Sequence, residues 1–239
     1  MPTVTYLRAR AESLPTGGHP PVAAYTQPHD PGLLATYMMT GGVGLATRNY
    51  AAGASDGTLI GVPEEPGRYL RFGPSCYVET GVPEILGGSM MAIGRKTPGG
   101  SMLPAFIGSG RGVENAGVAV FGGSTNLVLQ VQTVDGREQI ALTTDQSEWF
   151  LMAAIIPPTG GGYVLHNLTA GQSATYSGTE NRVNTGDETM LIGGLYTTPH
   201  AWEGDMLLAT ISATVWDAGQ LADQAAWARS YAADFGVAV

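Results

Sequence analysis

The chain has 239 residues, a formal net charge of -9 at pH 7, 13% charged residues and 35 glycines. Lys96 is its one lysine, so no basic stripe exists to neutralise phosphates and nucleic acid is excluded as a partner. No run approaches the roughly 18 apolar residues of a membrane span, which speaks against membrane insertion.

Glycine is about twice its average share of roughly 7%, and charge is about half the usual quarter. That balance suits many short strands joined by tight turns. One domain is expected, because all-β sandwiches commonly run to roughly 200–250 residues as a unit. Cys76 is alone and cannot form an intrachain disulfide; within Pro74-Ser-Cys-Tyr-Val78 it reads as a small buried hydrophobe. The N-terminal segment Met1 to Arg10 has no apolar core of signal-peptide length, which points to a chain made in a cytoplasm.

Residues 1–32 read as an extended N-terminal arm. Leu14-Pro-Thr-Gly-Gly-His-Pro-Pro21 and Gln27-Pro-His-Asp-Pro-Gly32 are punctuated by proline, which fixes φ and removes amide donors. The alternatives are a flexible tail, or an arm that packs on its own domain or on a neighbouring subunit. Residues 33–239 form the domain proper. Leu33 to Met39 is an apolar strand, Ala51 to Gly61 is a turn cluster entering another, and Tyr69 to Phe72 and Cys76 to Thr80 flank a Gly73-Pro74 turn. Ser89 to Gly94, Ala105 to Gly108, Val118 to Phe121, Asn126 to Gln132 and Gln139 to Thr143 follow at regular spacing. Short strands separated by turn residues indicate a sandwich or barrel and not βαβ units.

Glu148 to Ile156 is the most apolar run and ends at Pro157-Pro158; it reads as a central strand buried on both faces. Tyr163 to Thr169 is a further strand. The polar stretch Ala170 to Glu188 reads as loop. Met190 to Tyr196 and Gly204 to Trp216 are strands around a polar loop at Thr197 to Glu203. Between Gln220 and Phe235, Leu221, Ala225, Ala228, Tyr231 and Phe235 recur near helical spacing, flanked by Trp227 and Ala232. Asp223 falls in the first turn of this expected helix, where the helix dipole favours negative charge, and Gly236 supplies a left-handed stop.

Three stretches resemble the concanavalin A-like lectin and glucanase superfamily, in its laminin-G-like jelly-roll form. They are Leu34 to Tyr37 with Asn49 to Leu59; Arg68 to Phe72 with Tyr77 to Thr80; and Gly193 to Gly236, with its Gly-Asp strand and closing helix. The resemblance spans about residues 33 to 236. It implies an all-β jelly-roll sandwich of two antiparallel sheets with one C-terminal helix. Relatives of this kind occur in bacteriophage structural proteins, as tail, fibre or capsid-surface modules.

Glucanases of the superfamily carry a Glu-x-Asp-x-(x)-Glu strand, which puts nucleophile and acid on one face. Glu203-Gly-Asp205 begins such a pattern, but Met206-Leu-Leu208 puts apolar residues where the acid belongs. No Gly-x-Ser-x-Gly elbow is present, the four histidines are scattered, and no His/Cys spacing resembles a zinc site. The chain is therefore expected to be non-enzymatic.

Carbohydrate binding needs an aromatic platform beside groups that take hydroxyl protons. Tyr196, His200, Trp202 and Glu203 are the candidate residues; the alternative is that Trp202 packs inward. Trp149, Trp216 and Trp227 lie in apolar patterns and read as core. Laminin-G-like relatives often hold calcium with loop oxygens, which makes Asn184, Asp187 and Glu188 candidate ligands; a solvated loop is the alternative. Asn167-Leu-Thr169 matches a glycosylation sequon but is idle without a secretory route. The expectation is a virion-associated, lectin-like attachment protein, a homo-oligomer that docks through its arm. A purely structural decoration module and an atypical glycoside hydrolase are the alternatives.

Overall fold

The computed structural model describes residues 25–110, 117–184, 188–196 and 202–239. Among these residues the strands are β1 (Leu33–Met38), β2 (Thr58–Ile60), β3 (Leu70–Phe72), β4 (Tyr77–Pro83), β5 (Gly88–Lys96), β6 (Ala105–Gly108) and β7 (Val118–Gly122). They continue with β8 (Asn126–Thr133), β9 (Gly136–Thr143), β10 (Phe150–Ile156), β11 (Val164–Asn167), β12 (Gln172–Thr175), β13 (Thr189–Ile192) and β14 (Gly204–Ser212), and close with helix α1 (Ala218–Asp234).

The strands form two seven-stranded antiparallel sheets. One runs β1-β14-β5-β10-β11-β12, with β3 beside the first half of β14; the other runs β2-β4-β13-β6-β7-β8-β9. This is the expected all-β jelly-roll sandwich with one C-terminal helix. Side chains alternate along each strand, so Met90 and Ala92 of β5 enter the core between the sheets while Met91 and Ile93 face the helix side. β5, β10 and β14 are covered on both faces, which is why they read as unbroken apolar runs.

A register shift between Met206 and Leu208 interrupts the alternation in β14. Met206 and Ala209 reach the inner core, whereas Leu207 and Leu208 both face the helix, as one extra residue in a bulge requires. At the end of β13, Gly193 takes φ 79°, and a Cβ there would lie 2.3 Å from the Phe72 ring. Only glycine fits that approach.

Helix α1 begins earlier than its apolar spacing suggests. Asp217 is its N-cap: the carboxylate accepts from Gln220 N at 2.8 Å while the Gln220 side chain accepts from Asp217 N at 3.0 Å. Asp223 therefore lies beyond the first turn. Ala225, Trp227, Ala228, Tyr231 and Ala232 are the buried stripe, and Gly236 (φ 74°) ends the helix as its sequence signal indicates. No described helix is long and apolar enough to cross a membrane. β12 lies in the polar stretch expected to be loop; its exposed Gln, Ser and Thr side chains carry no apolar alternation to betray a strand.

Residues 25–32, the described part of the arm, are tied to the domain. Tyr25 donates to Asp234 Oδ2 at 2.6 Å and sets its ring edge-on to Tyr231 at 5.0 Å. Gln27 bridges Gln224 and Thr36, and Asp30 accepts from Trp216 Nε1 at 2.9 Å and Thr214 Oγ1 at 2.7 Å. Residues 1–24 of the expected arm lie outside the described residues.

Candidate functional site

β3 is three residues long, and its alternation decides the site. Leu70 and Phe72 are buried in the core, so Arg71 must emerge on the outer face beside the first half of β14. Asp205 stands opposite both Arg71 on β3 and Arg95 on β5. Its carboxylate is 0% exposed, and burying a carboxylate costs several kcal/mol unless it is paired. Two guanidiniums pair it. Arg71 donates from Nε to Oδ1 at 2.7 Å and from Nη2 to Oδ2 at 3.3 Å, and Arg95 donates from Nε to Oδ2 at 3.0 Å. Hydrogen bonding to Asp205 holds the Arg71 guanidinium above its ordinary pKa.

Arg95 is fixed in turn by aromatic rings. Its guanidinium lies 4.7 Å from the Trp149 ring centre and 5.3 Å from that of Tyr69, and Nη2 donates to the Tyr69 hydroxyl at 3.1 Å. Tyr69 and Trp149 meet edge to face at 5.1 Å. Trp149 is half-buried here rather than in the core, while Trp216 and Trp227 are buried as expected.

Beside this ionic anchor opens a cleft of about 350 Å³. Glu64, Arg71 and Glu203 form its polar lining, and Val62, Pro74 and Cys76 its apolar one. Glu203 precedes Asp205 by two residues; Arg71 lines the cleft with Glu203 and grips Asp205 behind it. The far wall is the Gly73–Cys76 turn, closed by Cys76 N donating to Gly73 O at 3.0 Å. Ser75 in this turn has φ 57°, the one non-glycine left-handed residue among those described. A side chain there costs roughly 1–2 kcal/mol, and such strain gathers at functional sites. Burial pushes the Cys76 thiol up in pKa, which keeps it protonated and inert.

The four residues expected to bind carbohydrate are divided by the structure. Glu203 faces the cleft. Trp202 packs its ring against Phe121, 5.6 Å between centres, and joins Leu195 in covering Ala105 and Ala119 on the outer face of the second sheet. Tyr196 lies on that face too, its hydroxyl 2.9 Å from Thr189 Oγ1 and 3.5 Å from Glu79 Oε1. His200 lies outside the described residues.

Of the candidate calcium ligands, Asp187 is outside the described residues. Asn184 gives an amide proton to Glu84 O at 3.3 Å, and Glu188 O accepts from Glu84 N at 2.9 Å. Among the described residues no three His, Cys, Asp or Glu side chains converge as a metal cage; Asn184 and Glu188 instead fasten the loop to Glu84. Asn167 of the sequon is buried, donating toward Thr144 Oγ1 at 3.4 Å and accepting from Ala170 N at 3.1 Å.

Chemically, the arrangement can bind but is poorly disposed to hydrolyse. A retaining glycosidase needs a free nucleophilic carboxylate and a protonatable partner about 5–5.5 Å away. Asp205 is buried and held by two guanidiniums, and Met206, Leu207 and Leu208 beyond it are buried apolar side chains. Tyr69, Arg71, Arg95 and Trp149 were not among the sequence candidates. The available signal was Tyr69-Leu-Arg71, one residue apart on a strand and so on one face, and Arg95 at the charged end of an apolar strand.

No protein-family model and no curated protein matches the sequence. Solved structures do match in fold. The receptor-binding domain of botulinum neurotoxin C/D mosaic serotype superposes with a TM-score of 0.59 at 10% identity, covering 82% of this chain and 51% of that one. The binding domain of botulinum neurotoxin DC, in complex with SialylT, gives 0.52 at 13% identity, covering 74% and 46%. The binding domain of Paraclostridial Mosquitocidal Protein 1 gives 0.52 at 9% identity, covering 84% and 52%. The chain thus spans about half the length of these structures, and the likeness is one of fold.

Proposed function

We propose that the protein is a non-enzymatic, virion-associated structural protein, a tail, fibre or capsid-surface module, whose lectin-like sandwich attaches to carbohydrate through the Glu203–Arg71 cleft. The observation that carries the binding function is the Asp205 anchor: it fixes Arg71 at the rim beside Glu203 and Glu64 and withdraws Asp205 itself from acid–base work. Carboxylates that accept hydroxyl protons, a guanidinium that donates, and a small apolar wall are the parts of a saccharide site. A neighbour of the same fold forms a complex with SialylT, which supports the reading.

The particle setting is part of the same proposal. Residues 25–32 are fastened to the domain at Trp216 and α1; the arm, residues 1–32, is proposed to dock on neighbouring subunits of a homo-oligomer. Deleting residues 1–24 and measuring subunit mass by light scattering tests this; an unchanged oligomeric state overturns it.

A glycan array with the wild type and Glu203→Gln tests the attachment function. Binding by the wild type that is lost in the variant is expected; no glycan bound by the wild type overturns the reading. The packing of Trp202 on Phe121 favours a second reading, a decoration module that binds no glycan, and the same array decides between them.

A further inference from the structure

We infer that the cleft selects an uncharged, hydroxyl-rich saccharide and rejects acidic ones such as sialylated or sulfated glycans. This rests on the reading that the cleft binds glycan.

The charges at the site argue for it. Acidic sugars are recognised by guanidinium edges that offer two parallel N–H donors. Arg71 is the cation lining the cleft, and its Nε–Nη2 edge is spent on Asp205. Its Nη1 leans to Glu64 Oε2 at 3.5 Å. Arg95 is turned away, with Nε on Asp205, Nη2 on Tyr69 and its face on Trp149. Two guanidiniums face three carboxylates, Asp205, Glu64 and Glu203, which leaves the neighbourhood one negative charge in excess. A carboxylated or sulfated ligand would meet Glu203 and Glu64 with only a guanidinium already neutralised by Asp205 to offset them.

A neutral sugar meets the opposite situation. Hydroxyls donate to Glu203 and Glu64, whose oxygens accept only, and accept from the N–H groups of Arg71 Nη1 and Nη2 that remain free of Asp205. Val62, 83% exposed at the mouth, and Pro74 give the C–H face of a pyranose an apolar surface. The volume of about 350 Å³ sits at the low end of the range of about 300–1,000 Å³ for small-molecule sites, which suits a terminal mono- or disaccharide.

The test is an array that carries neutral oligosaccharides beside their sialylated and sulfated counterparts, read at two salt concentrations with wild type, Glu203→Gln and Glu64→Gln. Thermal melts confirm that both variants fold. The expected result is wild-type binding to neutral glycans at least tenfold above their acidic counterparts, a gap that narrows at high salt as charge is screened, and tenfold loss of neutral binding in Glu203→Gln. Preference for the acidic member of a pair, or acidic binding strengthened by neither variant, overturns the selectivity while leaving the cleft a glycan site. Absence of all glycan binding, or binding indifferent to both variants, overturns the reading beneath it.

Discussion

Arg71 and Asp205 are 134 residues apart in sequence and meet through two hydrogen bonds, at 2.7 and 3.3 Å. The pair fastens β3 to β14 and aims a guanidinium at the cleft. Removing one partner of a buried pair leaves the other charge uncompensated. Asp205→Asn is therefore expected to cost about 3 kcal/mol, the low end for such a change because Arg71 and Arg95 are 21% and 18% exposed and keep some water. Urea unfolding of variant and wild type measures it.

A second ion pair lies deeper. Arg182 Nη2 reaches Glu84 Oε1 with both side chains fully buried, and Arg182 Nε has no hydrogen-bond partner. Desolvation holds the Arg182 guanidinium below its ordinary pKa in spite of Glu84. Glu84→Leu alone should destabilise by about 3–5 kcal/mol, whereas Glu84→Leu combined with Arg182→Met should restore most of that loss. A double-mutant cycle by chemical denaturation gives the coupling; additive losses would contradict it.

Alkaline pH should loosen the fold through its tyrosines. Burial first, with Asp234 adding at Tyr25, raises the hydroxyl pKa of Tyr25, Tyr37 and Tyr231 above the ordinary value of 10.0. The folded state keeps protons that the unfolded chain releases, so the stabilisation is complete below about pH 10 and is lost as pH rises beyond it. Denaturant midpoints should fall above that pH, with a shallower fall in Tyr25→Phe.

Trp202→Ala should lower stability without weakening ligand binding, because the ring covers Phe121, Leu195 and the alanines of the second sheet. Thermal melting and saccharide binding, measured on the same preparation, separate the two effects. Binding lost with the fold intact would return Trp202 to the site.

The sandwich was legible in the spacing of its strands because each central strand had to be apolar throughout, and the helix in the recurrence from Leu221 to Phe235. Local patterns placed Asp205 on a strand and Glu203 in the loop just before it, as the structure has them. They could not show that Asp205 is spent on Arg71 and Arg95, since those partners arrive from β3 and β5 through long-range pairing. Nor could they show which way Trp202 turns, because Phe121 comes from a distant strand. β12 escaped notice for a different reason: an exposed edge strand of polar residues has no apolar face to alternate.

Calorimetric titration of a neutral saccharide identified on the array, into wild type and Glu203→Gln, measures whether the cleft carboxylate holds the ligand. Saturable binding by the wild type is expected, at least tenfold weaker in the variant, with the saccharide recovered intact. Equal affinity in the two proteins, or cleavage of the saccharide, would contradict it.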